Sequence, residues 1–309
     1  MFITDLFERE FQSAKLINAD KKGFTKKEHE ELSKTLPWWS PKKWQFAIAR
    51  FGLSTFGRLS KGIRVGWKEG FDSGSMLDYV YENEAKGFSP IGKFIDRQFL
   101  NSPGWRGIRK RKANLQKLLS EQIEDRLDNA EHVRVVDIAA GHGRYVLDTL
   151  QRYDNNKISA VLRDYSDINI RAGEAFAAKK HLKNVTYVKG NAFDLTSLAE
   201  ISNAPNIAIV SGLYELFCDN DMILTSLKGL FEALEPGASL IYTNQPWHPQ
   251  LEFIARVLTS HRDGNAWIMR RRTQQEMDQL VEAAGFIKET QEIDDQGIFT
   301  VSLARKPRT

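Results

Sequence analysis

The chain has 309 residues, 41% of them apolar and 27% charged, which suits one large globular domain or a domain with a sizeable appendage. Its 9 prolines and 21 glycines exclude a collagen-like or wholly disordered chain, and the lack of any uninterrupted apolar run of about 18 residues excludes a membrane-spanning bundle. The net charge of +4 is unevenly divided: residues 1–125 carry 23 Lys/Arg against 16 Asp/Glu, and residues 126–309 carry 21 against 24. The single cysteine, Cys218, excludes an internal disulfide. The start, MFITDLFEREF, has acids where a secretion signal has bases, so the expectation is a cytoplasmic protein.

The elements follow in chain order. Helical spacing covers about 5–17 and 26–35, and Pro37 and Pro41 then break the chain. A helix over 42–66, a short one between Asp72 and Gly87, and two more over 90–100 and 105–127 complete an all-helical first part. After residue 130 the rhythm changes. Apolar runs at 134–139, 157–164, 185–189, 207–211 and 239–244 have strand length, with helix-length stretches at 144–153, 169–180, 195–201 and 222–234 between them. Buried parallel strands joined by crossover helices produce that rhythm. A helix over 274–284 and a hairpin of 289–293 with 297–304 close the chain. The expected division is a helical cap or substrate region at 1–128 and an α/β domain at 129–309.

The sharpest motif is VVDIAAGHGRY, residues 135–145, a strand that runs into a glycine-rich turn and opens a helix. Gly141 and Gly143 let the backbone approach a ligand where a Cβ would collide. A dinucleotide fingerprint needs a third glycine at 146, which is Val146, and no Gly-Lys-Ser/Thr follows for a phosphate loop.

The turn resembles the acidic-x-G-x-G-x-G signature of class I S-adenosylmethionine-dependent methyltransferases, with Asp137, Gly141 and Gly143 in place and Ala139 where the first glycine is usual. The likeness continues in order through residues 132–305. Asp164 ends the second strand, where the family has an acid that accepts from both ribose hydroxyls. Gly190-Asn191-Ala192-Phe193 stands where the family meets adenine, so Asn191 would accept from its amino group and Ala192 would offer a backbone N–H. Tyr165 is a candidate lid over the ring. Ser211, Gly212, Tyr214 and Glu215 would lie beside the methyl-donor end. Leu234-Glu235-Pro236-Gly237-Ala238 and Ala284-Gly285-Phe286 resemble the family's turns before its fifth strand and final hairpin. The resemblance implies a Rossmann-like, seven-stranded, mostly parallel sheet with a helical N-terminal cap, and S-adenosyl-L-methionine as cofactor.

More narrowly, DIAAGHGRY, RDYSDINI, YELF, NQPWHPQ and SPGWRGIRKR together resemble a little-studied methyltransferase family. Some bacterial members are fused behind an α/β-hydrolase, and the resemblance implies a hydrolase partner and, separately, a link to phospholipid metabolism. His248, in the loop after the fifth strand, is a candidate base because imidazole titrates near neutrality, although Trp247 and two prolines there would equally stiffen a loop. Glu215 and Tyr214 are the other catalytic candidates, against the alternative of a capped helix start. Tyr79 and Tyr81 are candidate aligners from the cap.

An exocyclic-amine methyltransferase of nucleic acid would carry Asn/Asp-Pro-Pro-Tyr/Phe after the fourth strand, where this chain has Ser-Gly-Leu-Tyr, so nucleic acid is disfavoured. No Cys/His cluster has metal spacing, and no metal is assigned.

Between Leu32 and Lys68 stand eight basic residues and no acid, interleaved with Trp38, Trp39, Trp44, Phe46, Phe51, Phe56 and Trp67. Two readings stay open: a membrane-interface helix, or a lid whose aromatics pack on the methyltransferase core. RNA is a third. The expected acceptor is an oxygen or nitrogen of a lipid or amphiphilic small molecule, with peripheral contact to the inner face of the membrane through 32–68. The rivals are an RNA-directed enzyme and a cofactor-binding partner protein without turnover.

Overall fold

The structure is a computed structural model that describes residues 24–308. The helix expected over 5–17 lies outside the described residues. The first part contains α1 (Phe24–Ser33), α2 (Pro41–Ser54), α3 (Lys61–Glu69), α4 (Gly74–Glu82), α5 (Pro90–Leu100) and α6 (Pro103–Asp128). Prolines begin α2, α5 and α6, where the missing N–H costs nothing.

The single helix expected over 42–66 is two. Thr55 leaves helical geometry, Phe56–Leu59 form a 3₁₀ turn, and the Ser60 side chain caps α3 by accepting from the Ile63 N–H at 3.1 Å. Gly57 allows the fold-back, since a Cβ there would press on Ile63 at 3.3 Å.

The second part alternates β1 (Val133–Asp137), α7 (Arg144–Leu150), β2 (Ile158–Asp164), α8 (Asp167–Lys179), β3 (Val185–Lys189), α9 (Leu195–Ala199), β4 (Ile207–Val210), α10 (Asn220–Ala233) and β5 (Ser239–Asn244). Then come α11 (Leu251–Val257), which the sequence reading did not anticipate, α12 (Gln274–Ala283), β6 (Ile287–Ile293) and β7 (Thr300–Arg305). The seven strands form one sheet in the order β3-β2-β1-β4-β5-β7-β6, with β7 antiparallel to both neighbours. This is the Rossmann-like class I methyltransferase sheet. Strand order reverses beside β1, and a crevice opens beyond the carboxyl ends of β1 and β4.

Period-two alternation splits the core between the two faces of the sheet. Val133 and Val135 of β1 join Leu162 and Ile207 on one face, while Val136 joins Val210 and Leu240 on the other. The second half of α6 belongs to the sheet: Leu115, Leu119 and Ile123 cover its first face. A boundary at 128 therefore falls at the end of a helix that serves both parts. The cap has its own core of Ile63, Phe71, Met76, Val80 and Leu100, to which α11 and Trp267 contribute. Stacking of Trp105 on Trp267, with centroids 6.1 Å apart, ties the two parts together.

Candidate active site

The glycine turn is shaped by its backbone needs. Gly141 and Gly143 have φ of +58° and +67°, the left-handed region that side chains disfavour. A Cβ on Gly143 would also come within 2.7 Å of Leu162 and of the Tyr187 hydroxyl. At Gly141 the space is open, the nearest atom being the Gly74 Cα of the cap at 3.8 Å.

Asp137 stands behind this turn. It is fully buried, accepts from the Tyr145 hydroxyl and, at 3.4 Å, from the Ala139 N–H. Burial raises its pKa to about 7, against the pull of those donors. Its carboxyl shapes the loop and does not line the cleft in front of it.

Asp164 reaches that loop directly. Its Oδ2 accepts from the Gly141 N–H at 2.8 Å, and its Oδ1 accepts from the Ser166 N–H at 2.8 Å and the Asn169 amide at 3.0 Å. A carboxylate offers roughly four acceptor positions. One is left for a ribose hydroxyl, although Asp164 is buried behind the loop and lines neither cleft itself.

Ala139, Gly141, Gly143 and Ser211 line a narrow cleft closed from above by Gly74, Leu77, Asp78 and Tyr81 of the cap. Bare backbone at Gly141, the adjoining Asp164 carboxylate and this cleft fit S-adenosylmethionine. Tyr165 is 74% exposed at the rim. Asn191 and Ala192 line neither this cleft nor the larger one beside it. The Asn191 oxygen is already engaged by the Phe193 N–H at 3.0 Å, and Ala192 is buried.

The larger cleft encloses about 900 Å³ of empty space, its mouth included, and shares Leu77 and Arg111 with the narrow one. Its walls are mainly apolar, with Phe99, Trp105, Phe253, Ile254, Trp267 and Met269 among them. Gly212, Glu215, Gln245 and His248 bring polar atoms to it.

Glu215 is buried and paired with Arg111 at 3.3 Å. Its second oxygen, Oε2, has no hydrogen-bond partner among the described residues. The Arg111 guanidinium also lies over the Phe299 ring at 4.8 Å. The loop that presents Glu215 is anchored by a run of buried arginines. The Arg270 N–H donates to the Glu215 carbonyl at 2.8 Å, and Arg272 Nη1 donates to the Tyr214 carbonyl at 2.8 Å.

Tyr214, named with Glu215 as a catalytic candidate, turns the opposite way. Its hydroxyl is 3.0 Å from Ser226 in the core beneath the sheet, and burial raises its pKa. It does not line the larger cleft. The neighbours diverge because they share a 3₁₀ turn, Tyr214–Leu216, in which successive side chains point apart.

His248 does line the cleft, but its Nδ1 accepts from the Gln250 N–H at 3.1 Å. That bond assigns the proton of the neutral ring to Nε2. Burial pushes its pKa down to about 4, so at neutral pH it offers a donor at Nε2 instead of the base expected there. Gly104 makes room for it, since a Cβ would stand 2.8 Å from Nε2.

Of the cap tyrosines, Tyr79 donates to buried Asp96, which also accepts from the Gly62 N–H at 3.0 Å and the Lys86 N–H at 2.8 Å. That makes Tyr79 a brace of the cap. Tyr81 lines the narrow cleft. No group of three or more metal-ligating side chains occurs among the described residues.

Arg111, Trp105 and Trp267 carry much of the larger cleft without having been assigned roles from the sequence. A signal existed: SPGWRGIRKR contains Gly104, Trp105 and Arg111, YELF contains Glu215, and NQPWHPQ contains Gln245 and His248. Three motifs far apart in the chain converge on one cavity.

Residues 1–306 match the profile of the family described as "Putative methyltransferase". The chain belongs to that family. The sheet and glycine turn described above fit S-adenosylmethionine as the methyl donor. The chain is 50% identical over 266 residues to "Uncharacterized protein YnbC" of Escherichia coli K12, a match that covers 86% of this chain and 45% of that protein. The chain thus spans less than half the length of that curated relative. Among solved structures it resembles a protein of Bordetella parapertussis described as a possible exported protein, with a TM-score of 0.63 at 16% identity, covering 94% of this chain and 97% of the other. That likeness concerns the fold. No helix among the described residues is long and apolar enough to cross a membrane.

Proposed function

We propose that this protein transfers a methyl group from S-adenosylmethionine to an oxygen or nitrogen of a lipid or amphiphilic small molecule held in the larger cleft. The observation that carries the reading is the junction of the two clefts at Leu77 and Arg111, with the partnerless Oε2 of buried Glu215 beside it. When bound, S-adenosylmethionine supplies an electrophilic methyl group.

The chain's own residues do the rest. Gly141 and Asp164 hold the ribose, and Ser211 stands beside the donor end. The aromatic walls take the acceptor's apolar body and exclude water, which strengthens every polar contact inside. A buried carboxylate oxygen without a partner costs free energy until it meets a donor. Glu215 Oε2 therefore selects an acceptor that presents an O–H or N–H, aligns it and takes its proton. Arg111 compensates the Glu215 charge, and His248 Nε2–H offers a hydrogen bond to the acceptor. The same reading extends to a hydrolase working alongside and to an inner-membrane lipid as methyl acceptor, motivated by the resemblance of the five motifs quoted above.

Calorimetric titration with S-adenosylhomocysteine tests the cofactor half: binding is expected, and Asp164→Ala should weaken it at least about ten-fold. No binding by folded protein, or unchanged binding in Asp164→Ala, sinks the reading. Assay of S-adenosylhomocysteine release over lysate fractionated into lipid, RNA and small molecules tests the acceptor half. Turnover is expected with the lipid or small-molecule fraction and should fall roughly 100-fold or more in Glu215→Gln, with S-adenosylhomocysteine binding retained. Turnover with RNA alone, or with no fraction, goes to the rivals.

A further inference from the structure

Helix α2 is apolar on two sides. Phe46, Ala49 and Leu53 pack against the cap core, and Leu53 also lines the larger cleft. Trp44, Ile48 and Phe51 face the other way and are 60%, 70% and 66% exposed. The exposed set continues through Trp38 and Trp39 before the helix and Phe56 after it. It then crosses to Phe88, Ile91 and Phe94 at the start of α5, which the Phe88 N–H ties to the Leu59 carbonyl at 3.0 Å. The lid expectation therefore accounts for Phe46 and Trp67 and leaves the other aromatics of 32–68 uncovered.

A soluble surface rarely carries so much contiguous apolar area without a partner. The charge of its own segment is of one sign, and Glu252 of α11 meets it from outside, 3.1 Å from Lys42. Lys42, Arg50, Arg58, Lys61, Arg64 and Lys68 are exposed, and no acid occurs from 33 to 68. A second copy docked face to face would bring like charges together. RNA would use the bases and the indoles, but has no use for Ile48 and Ile91.

We propose that this face docks on an anionic lipid bilayer, with Trp38, Trp39, Trp44, Ile48, Phe51 and Phe56 entering the interface. Indole and phenyl rings sit at headgroup depth, and basic side chains stretch alongside to the lipid phosphates. The Trp44 indole N–H already donates to the Trp38 carbonyl at 3.1 Å, so the ring enters an apolar layer with its donor satisfied. Leu53 then places one wall of the larger cleft directly behind the docked helix. The inference stands on exposure and charge, independent of methyl transfer.

The test is flotation of the full chain with vesicles of phosphatidylcholine plus phosphatidylglycerol, against phosphatidylcholine alone, at low salt. The comparison variant is Trp44→Ser/Ile48→Ser/Phe51→Ser, whose positions are exposed, with S-adenosylhomocysteine binding and thermal midpoint measured on the same samples as controls. Co-flotation with the anionic vesicles is expected, about ten-fold weaker in the variant and weakened again by salt. Wild-type protein left at the bottom of the gradient overturns the proposal. So does equal flotation of the variant, binding to RNA in place of vesicles, or a concentration-dependent dimer that the variant abolishes. Loss of S-adenosylhomocysteine binding in the wild type would instead strike the methyltransferase reading alone.

Discussion

The stretch 32–68 and the run Arg270-Arg271-Arg272 are two concentrations of positive charge that the fold treats in opposite ways. In the first, the bases ring an exposed aromatic face and most stand in solvent. In the second, Arg270 and Arg272 are 1% exposed. Arg270 pairs with buried Glu276, while Arg272 donates to Asn220 Oδ1 at 2.6 Å and to the Tyr214 and Phe217 carbonyls at 2.8 Å. One set of charges faces solvent, and the other locks the loop that carries Glu215. Charge density along the chain does not separate them, because the cost of a charge is set by what surrounds it.

That contrast should survive mutation in graded form. Arg270→Ala leaves Glu276 buried without its cation, and chemical denaturation should show a loss of about 3–5 kcal/mol. A loss under about 1 kcal/mol would mean that the interior network is no clamp.

Next in size is the acid response of the interior. Unfolded histidine takes up a proton near its ordinary pKa, whereas folded His248 resists until about 4. The unfolded state therefore binds more protons between those values, and stability falls as pH drops through the window. The drop is on the order of 3 kcal/mol. Denaturation of His248→Gln between pH 7 and 4 should show a correspondingly flatter dependence (about neutral down to the folded pKa). Equal slopes in the two proteins would contradict the neutral, buried ring.

Smallest is the exposed side of the comparison. Arg58→Ala, at an exposed position, should change stability by no more than about 0.5 kcal/mol, while reducing flotation with anionic vesicles modestly. A large stability loss there would erase the distinction between the two basic regions.

Much of the fold was legible in the sequence for local reasons. Strands buried on both faces read as apolar runs, and a turn that needs positive φ at Gly141 and Gly143 has to show glycine. Asp164 was legible as well, because one βαβ unit sets its distance from the turn. The misreadings are equally physical. The break between α2 and α3 depends on Gly57 folding back beneath Ile63, a packing event with little local signature. Tyr214 and Glu215 are adjacent in sequence and diverge in space, one toward Ser226 and the other toward Arg111. His248 was placed at the cleft from the sequence, but its proton was not, since Gln250 and burial decide the tautomer and the pKa.

The sequence by itself determined the sheet, the glycine turn with its acid, and the basic aromatic character of the cap, because hydrophobic period and backbone strain are properties of neighbouring residues. Only the tertiary structure decided which aromatics are covered, which arginines are buried and which oxygen of Glu215 is left without a donor. Those outcomes depend on desolvation and pairing between segments a hundred residues or more apart, as Arg111 and Glu215 are, and no local pattern encodes them.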